Sequence, residues 1–200
     1  MNDTVITCTD TAEWESWLSA HHDHAKDVWV KIAKKGAAST TITLSEALDG
    51  ALCYGWIDSV RRGYDANHYV QRYSPRRARS PWSQVNVAKV EALMAAGRMR
   101  APGLAAVEAA RADGRWEAAY ASQREATIPE DLAAALDRDP AAREQFDSLD
   151  RTGQYALFLR LMKASTQVRR ANQLRRIIEE LSAQSNTSTV VPGCVSSSRT

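Results

Sequence analysis

Residues 51–86, ALCYGWIDSVRRGYDANHYVQRYSPRRARSPWSQVN, constrain this chain more than any other stretch. Just before and into it, Leu44, Ala47, Leu48, Ala51 and Leu52 form an apolar helical stripe behind Thr43 and Glu46, which have capping-box spacing. Gly55 is placed to stop that helix, because glycine accepts the left-handed conformation of a helix end. Trp56–Val60 and Tyr69–Tyr73 then read as two antiparallel strands, and the RRGYDANH between them carries the turn formers Gly63, Asp65 and Asn67. Pro75 breaks the second strand. Ser80-Pro81 predicts the next helix start, with serine as N-cap and proline at the first helical position.

The flanking sequence extends this into an α+β fold. Val5–Cys8 predicts a short strand, and Asp10 with Glu13 starts a helix whose Trp14, Trp17, Leu18 and His21 share a face. Val28–Ala33 reads as a strand with Val28, Val30 and Ile32 on one side and Trp29 and Lys31 on the other. Val85, Val87, Val90, Leu93 and Met94 give the helix after Pro81 its apolar residues, and Gly97 ends it; Leu104–Ala112 is a further helix, stopped by Gly114. Beyond residue 125 the pattern is helical throughout, over Pro129–Asp137, Pro140–Leu149, Thr152–Lys163 and Gln167–Ala183. Leu149, Tyr155, Leu157, Phe158, Leu161, Leu174, Ile177, Ile178 and Leu181 supply its core. The expectation is a small, mainly antiparallel sheet packed with helices over 1–124, an all-helical subdomain over 125–183, and a Ser/Thr-rich tail over 184–200 with no fixed structure.

Composition narrows the class. The chain has 200 residues, 44% of them hydrophobic, and a formal net charge of +2, which is ordinary for a soluble globular protein. Cys8, Cys53 and Cys194 lie too far apart for a CxxC metal pair and are odd in number, so a reducing cytoplasm is expected. The first residues lack the basic and apolar regions of an export signal, and no apolar run is long enough to span a membrane. Charge is segregated: residues 58–100 hold 9 basic and 3 acidic groups, and residues 151–176 hold 7 basic and no acidic ones.

The candidate site combines Asp58, Arg72, Arg76, Arg77, Ser80, Trp82, Ser83 and Asn86. Its logic is an anion pocket: a helix start with unsatisfied N–H groups, arginines just before it, and Trp82 as a stacking wall. The alternative for the same residues is structural, with Ser80 a cap, Trp82 in the core and Asp58 paired inside a polar network. Tyr64, Tyr69, Tyr73 and Trp82 interleaved with arginines also admit single-stranded nucleic acid, with Arg169, Arg170, Arg175 and Arg176 extending the footprint. The histidines at 21, 22 and 24 lack a further spaced ligand, so no metal is expected. Cys53 near a helix end reads as a buried structural thiol. No GxSxG, GxxxxGK[ST], HExxH or GxGxxG motif occurs, and no cofactor is expected.

Several blocks in order resemble the YdeI/OmpD-associated family: Ala51-Leu52-Cys53-Tyr54-Gly55-Trp56-Ile57-Asp58, Gln71-Arg72-Tyr73-Ser74-Pro75-Arg76-Arg77, Ser80-Pro81-Trp82-Ser83 with Asn86, Gly97-Arg98-Met99 with Gly103, and the helical end from Tyr155 to Arg176. The resemblance implies a YjbR/CyaY-like α+β region followed by a helical bacteriocin-protection domain, and no established enzymatic activity. The expected function is non-enzymatic binding of a small anionic ligand or acidic partner segment in bacterial stress or bacteriocin protection. The alternative is an enzyme on a small anionic substrate, with Asp58 as general base and arginines as clamps. On the first reading Arg76→Ala abolishes binding and leaves folding nearly intact.

Overall fold

Strand β1 (Val5–Thr7) leads into helix α1 (Thr11–His21), and the local chemistry of the helix start is clear. Asp10 accepts the Glu13 N–H (2.9 Å), while the Glu13 carboxylate reaches back to the Thr9 N–H (2.7 Å). The computed structural model describes residues 4–164 and 166–188. Strand β2 (Val28–Ala33) follows, then α2 (Leu44–Cys53), β3 (Trp56–Gly63), β4 (His68–Pro75), α3 (Gln84–Ala95) and α4 (Ala101–Ala112). At α2 the capping box closes in both directions, Thr43 N–H to Glu46 Oε2 at 2.9 Å and Glu46 N–H to Thr43 Oγ1 at 3.3 Å. Gly55 ends the turn after α2 with φ +73.

The sheet order is β1-β2-β4-β3; β1 runs parallel to β2, and the other pairs are antiparallel. Register fixes its faces, because residues directly opposite one another point the same way. Val28 and Asp58 both lie opposite Tyr73, so these three share a face, whereas Arg72 lies opposite Trp29 on the other. The main core packs on the Tyr73 face: Trp14 and Leu18 from α1 and Ala47, Ala51 and Leu52 from α2 join Val28, Val30, Ile32 and Tyr73 in one cluster. Each buried valine, leucine or isoleucine among these contributes roughly 1.5–3 kcal/mol. Trp14 also donates Nε1–H to the Ala47 carbonyl (2.9 Å), which ties α1 to α2.

The hairpin strands are longer than the sequence predicts: Arg61 to Gly63 extend β3, and His68, Ser74 and Pro75 extend β4, so Pro75 ends the strand as its last residue, opposite Trp56, rather than breaking it earlier. The register shifts at a bulge between Asp58 and Arg61. Gln71, only 2% exposed, satisfies it: its amide donates to the Val60 carbonyl and accepts from Arg61 Nε, both at 3.2 Å.

The predicted helix start at Ser80-Pro81 is corrected. Helix α3 begins at Gln84 with Ser83 as N-cap, its side chain accepting the Asn86 N–H (3.2 Å). Trp82 is 2% exposed and packs against Trp116 with ring centroids 4.8 Å apart; that anchor keeps the chain extended through Pro81 and moves the cap three residues on.

The chain divides into two compact units at Ala119/Tyr120, ahead of the 124/125 boundary read from the sequence. Residues just past the division belong with the helices, because Tyr155 Oη donates to the Ala121 carbonyl (2.9 Å) and Arg151 Nη2 to the Gln123 (3.0 Å) and Ala126 (2.7 Å) carbonyls. The second unit holds α5 (Glu130–Leu136), α6 (Pro140–Ser148), α7 (Arg151–Met162) and α8 (Gln167–Ser188). Leu132, Leu136, Phe146, Phe158, Leu161, Ile177 and Leu181 are its buried centre. Arg170 on α8 forms a two-pronged ion pair with Asp131 on α5 (2.7 and 2.8 Å). Helix α8 continues to Ser188, past the predicted end at Ala183, because adding one more residue to an existing helix costs little. The remainder of the predicted tail, 189–200, lies outside the described residues.

Candidate anion site in the first unit

The eight predicted site residues do not form one cluster. Arg76, Arg77 and Trp82 do come together, around a cavity of about 300 Å³. Its other walls are Ala106 and Ala109 from α4, with Asp113 and Arg115 beyond that helix. Arg76 is fixed: its guanidinium stacks over the Trp82 ring at 3.6 Å, Nη1 donates to the Pro81 carbonyl (3.3 Å), and its backbone N–H bonds the Gly55 carbonyl (2.9 Å). Arg115 is held from two sides, by the Asp113 carboxylate (2.7 and 2.8 Å) and the Ser80 carbonyl (3.0 Å). Arg77 is exposed. Trp82 Nε1 is buried with no hydrogen-bond partner among the described residues.

The remaining predicted residues have other work. Arg72 pairs with Asp27. Ser83 and Asn86 make the α3 cap. Ser80 contributes its carbonyl to Arg115 rather than a helix cap. Asp58 sits beside Tyr73 on the covered sheet face, and burial raises its carboxyl above the ordinary range, against the pull of Arg76 and Arg61. Burial likewise raises the Tyr73 hydroxyl, which has no partner among the described residues. A carboxyl whose folded pKa lies above its unfolded one favours folding only while protonated, so its contribution is lost as pH rises through the folded value. Asp58→Asn is therefore expected to be more stable than the parent at pH 7 and to lose that advantage near pH 3, as urea midpoints at the two pH values will show.

Arg115 and Asp113 were missed from sequence. They lie far along the chain from Arg76, and only Asp113 with Arg115 as an i, i+2 pair flanking Gly114 gave any local hint. The nucleic-acid reading loses its platform: Tyr73 and Trp82 are buried, and Arg61 covers the half-buried Tyr69, which leaves Tyr64 as the exposed ring of the four. Cys8 and Cys53 are buried free thiols; burial pushes Cys8 up to about 11 and raises Cys53 too, the opposite of an activated nucleophile. His21 and His22 each donate Nδ1–H to a carbonyl four residues back (2.7 and 3.0 Å). Among the described residues no group of three or more His, Cys, Asp and Glu is placed to hold a metal ion.

An α+β unit with a guanidinium-lined cleft, followed by a four-helix unit, is the class these features define. Residues 6–106 match the family model described as a domain of unknown function, DUF8412, and residues 125–184 match the one described as Bacteriocin-protection, YdeI or OmpD-Associated. The chain belongs to the DUF8412 family, whose model spans half of it, and its helical unit is a YdeI/OmpD-associated domain. Neither a curated protein nor a solved structure matches the chain. No helix among the described residues is long and apolar enough to cross a membrane.

Proposed function

We propose that the first unit binds a small anionic ligand in the cleft of Arg76, Arg77, Trp82 and Arg115, without chemistry, and that this binding serves a protective role of the kind the helical domain's family description names. The observation that carries the reading is the convergence of three guanidiniums on one cavity with a single carboxylate, Asp113, that Arg115 already engages. A planar guanidinium grips phosphate or carboxylate in two-pronged fashion. Asp58, the general base of the enzymatic alternative, is not among the lining residues, which weighs toward binding. The two buried free thiols are consistent with a cytoplasmic setting. The YjbR/CyaY-like placement rests on the sequence resemblance alone.

Arg77 is a cleaner probe than Arg76, because Arg76 also packs on Trp82 and its loss mixes binding with folding. A thermal-shift screen of phosphate, sugar phosphates, nucleotides and dicarboxylates is best followed by tryptophan fluorescence, since all six tryptophans precede residue 120. A stabilising ligand is expected, with Arg77→Ala and Arg115→Ala each weakening it at least tenfold, or about 1.4 kcal/mol. No stabilising ligand in the screen, or an undiminished shift in both variants, sinks the proposal.

A further inference from the structure

A second basic cleft, unrelated to the first, lies on the helical unit. Arg160 and Lys163 on one side and Arg169, Asn172, Gln173 and Arg176 on the other line a cavity of about 430 Å³. The spacing explains the convergence. Arg160 and Lys163 stand three apart at the end of α7, and Arg169, Asn172, Gln173 and Arg176 repeat along one stripe of α8. The opposite stripe of α8, with Leu174, Ile177, Ile178 and Leu181, faces the core, so the basic stripe cannot turn away from α7 without unpacking the unit. Glu180 engages Arg160 of this cleft (2.6 and 2.9 Å). Among the described residues no acidic side chain lines the cavity. Four cationic side chains lie around one cavity with Glu180 engaging Arg160, and a multivalent anion lowers their mutual repulsion.

We infer that this cleft of α7 and α8 is a binding site for a diphosphate group, in a compact anion such as pyrophosphate. Two features select that class. Beside the Arg160–Glu180 pair, the further cationic side chains of the lining favour a multiply charged anion, and guanidiniums fit phosphate oxygens in pairs. Among the described residues Ala164 is the one apolar residue in the lining and no aromatic ring lines it to hold a base, in contrast to the cleft built on Trp82. The amides of Asn172 and Gln173 add neutral donors suited to bridging oxygens.

Calorimetric titration of the full chain with pyrophosphate, orthophosphate and adenosine diphosphate tests this, because heat reads a unit that contains no tryptophan. Pyrophosphate is expected to bind at least tenfold more tightly than orthophosphate, with affinity falling as salt rises. Adenosine diphosphate matching pyrophosphate shows that the diphosphate group is the recognised part. Lys163→Gln combined with Arg176→Gln changes two exposed side chains and is expected to reduce pyrophosphate affinity at least tenfold, with an unaltered circular dichroism melt; Lys163→Gln alone gives a smaller loss. Arg77→Ala, which tests the other cleft, is expected to leave pyrophosphate binding intact. Absence of pyrophosphate binding, binding unchanged in the double variant, or tight binding only to a single-stranded oligonucleotide overturns the inference.

Discussion

Gly103→Ala is expected to destabilise the first unit by about 3 kcal/mol, at or above the upper end for inserting one methyl into a packed site. A Cβ on Gly103 would stand 2.3 Å from the Cys53 carbonyl oxygen and 2.8 Å from its carbon. Both atoms are backbone at the end of α2, so a side-chain rotation cannot relieve the contact. The same approach is used from the other side: Gly55 faces the Pro102 carbonyl at 2.9 Å from its own ideal Cβ position, and Arg100 N–H bonds the Cys53 carbonyl (3.1 Å). Intrinsic preference predicts the opposite sign, since alanine favours a helix over glycine by about 1 kcal/mol. Urea unfolding followed by tryptophan fluorescence therefore decides between them, and a stabilised variant would mean that α4 stands off α2. Helix α4 also carries Ala106 and Ala109 of the cleft wall, so the displaced helix is expected to weaken anion binding as well.

The parts of this fold legible in sequence are those written in neighbouring residues. Thr43 and Glu46 announce α2, Asp10 and Glu13 announce α1, and the alternation of Val28, Val30 and Ile32 gives both the strand and its buried face. Ser80-Pro81 carries an equally good local signal and fails, because burial of Trp82 against Trp116 outweighs a cap worth about 1 kcal/mol. Strand pairing explains the dispersal of the predicted site. Asp58 and Arg72 both read as strand residues, but which face each takes depends on a register and a bulge that no short window contains. Arg115 entered the cleft through a long-range bond to the Ser80 carbonyl, which only the folded chain defines. Arg76, Arg77 and Trp82 were recoverable because they lie within seven residues of one another.

Leu161→Ala is expected to cost the helical unit about 3 kcal/mol, which for a unit this small approaches its whole stability. Leu161 is fully buried, in one cluster with Phe158, Ile177 and Leu181, and its carbonyl accepts Arg170 Nη1 (3.1 Å). That arginine is the one paired with Asp131, so a collapse around Leu161 also strains the link between α8 and α5. Tryptophan fluorescence does not see this unit; circular dichroism and dye binding to exposed apolar surface do. Lys163, two residues on and facing out, supplies the control, since its replacement by glutamine is expected to change stability by less than about 0.5 kcal/mol. The pair separates packing from recognition. Lys163→Gln is expected to weaken pyrophosphate binding at full stability, whereas Leu161→Ala lowers both together, because the basic stripe of α8 converges on α7 only while the apolar stripe behind it is packed. Binding that survived the loss of that core would show that the cations need no fixed arrangement, and that simple charge density, not the cleft, holds the anion.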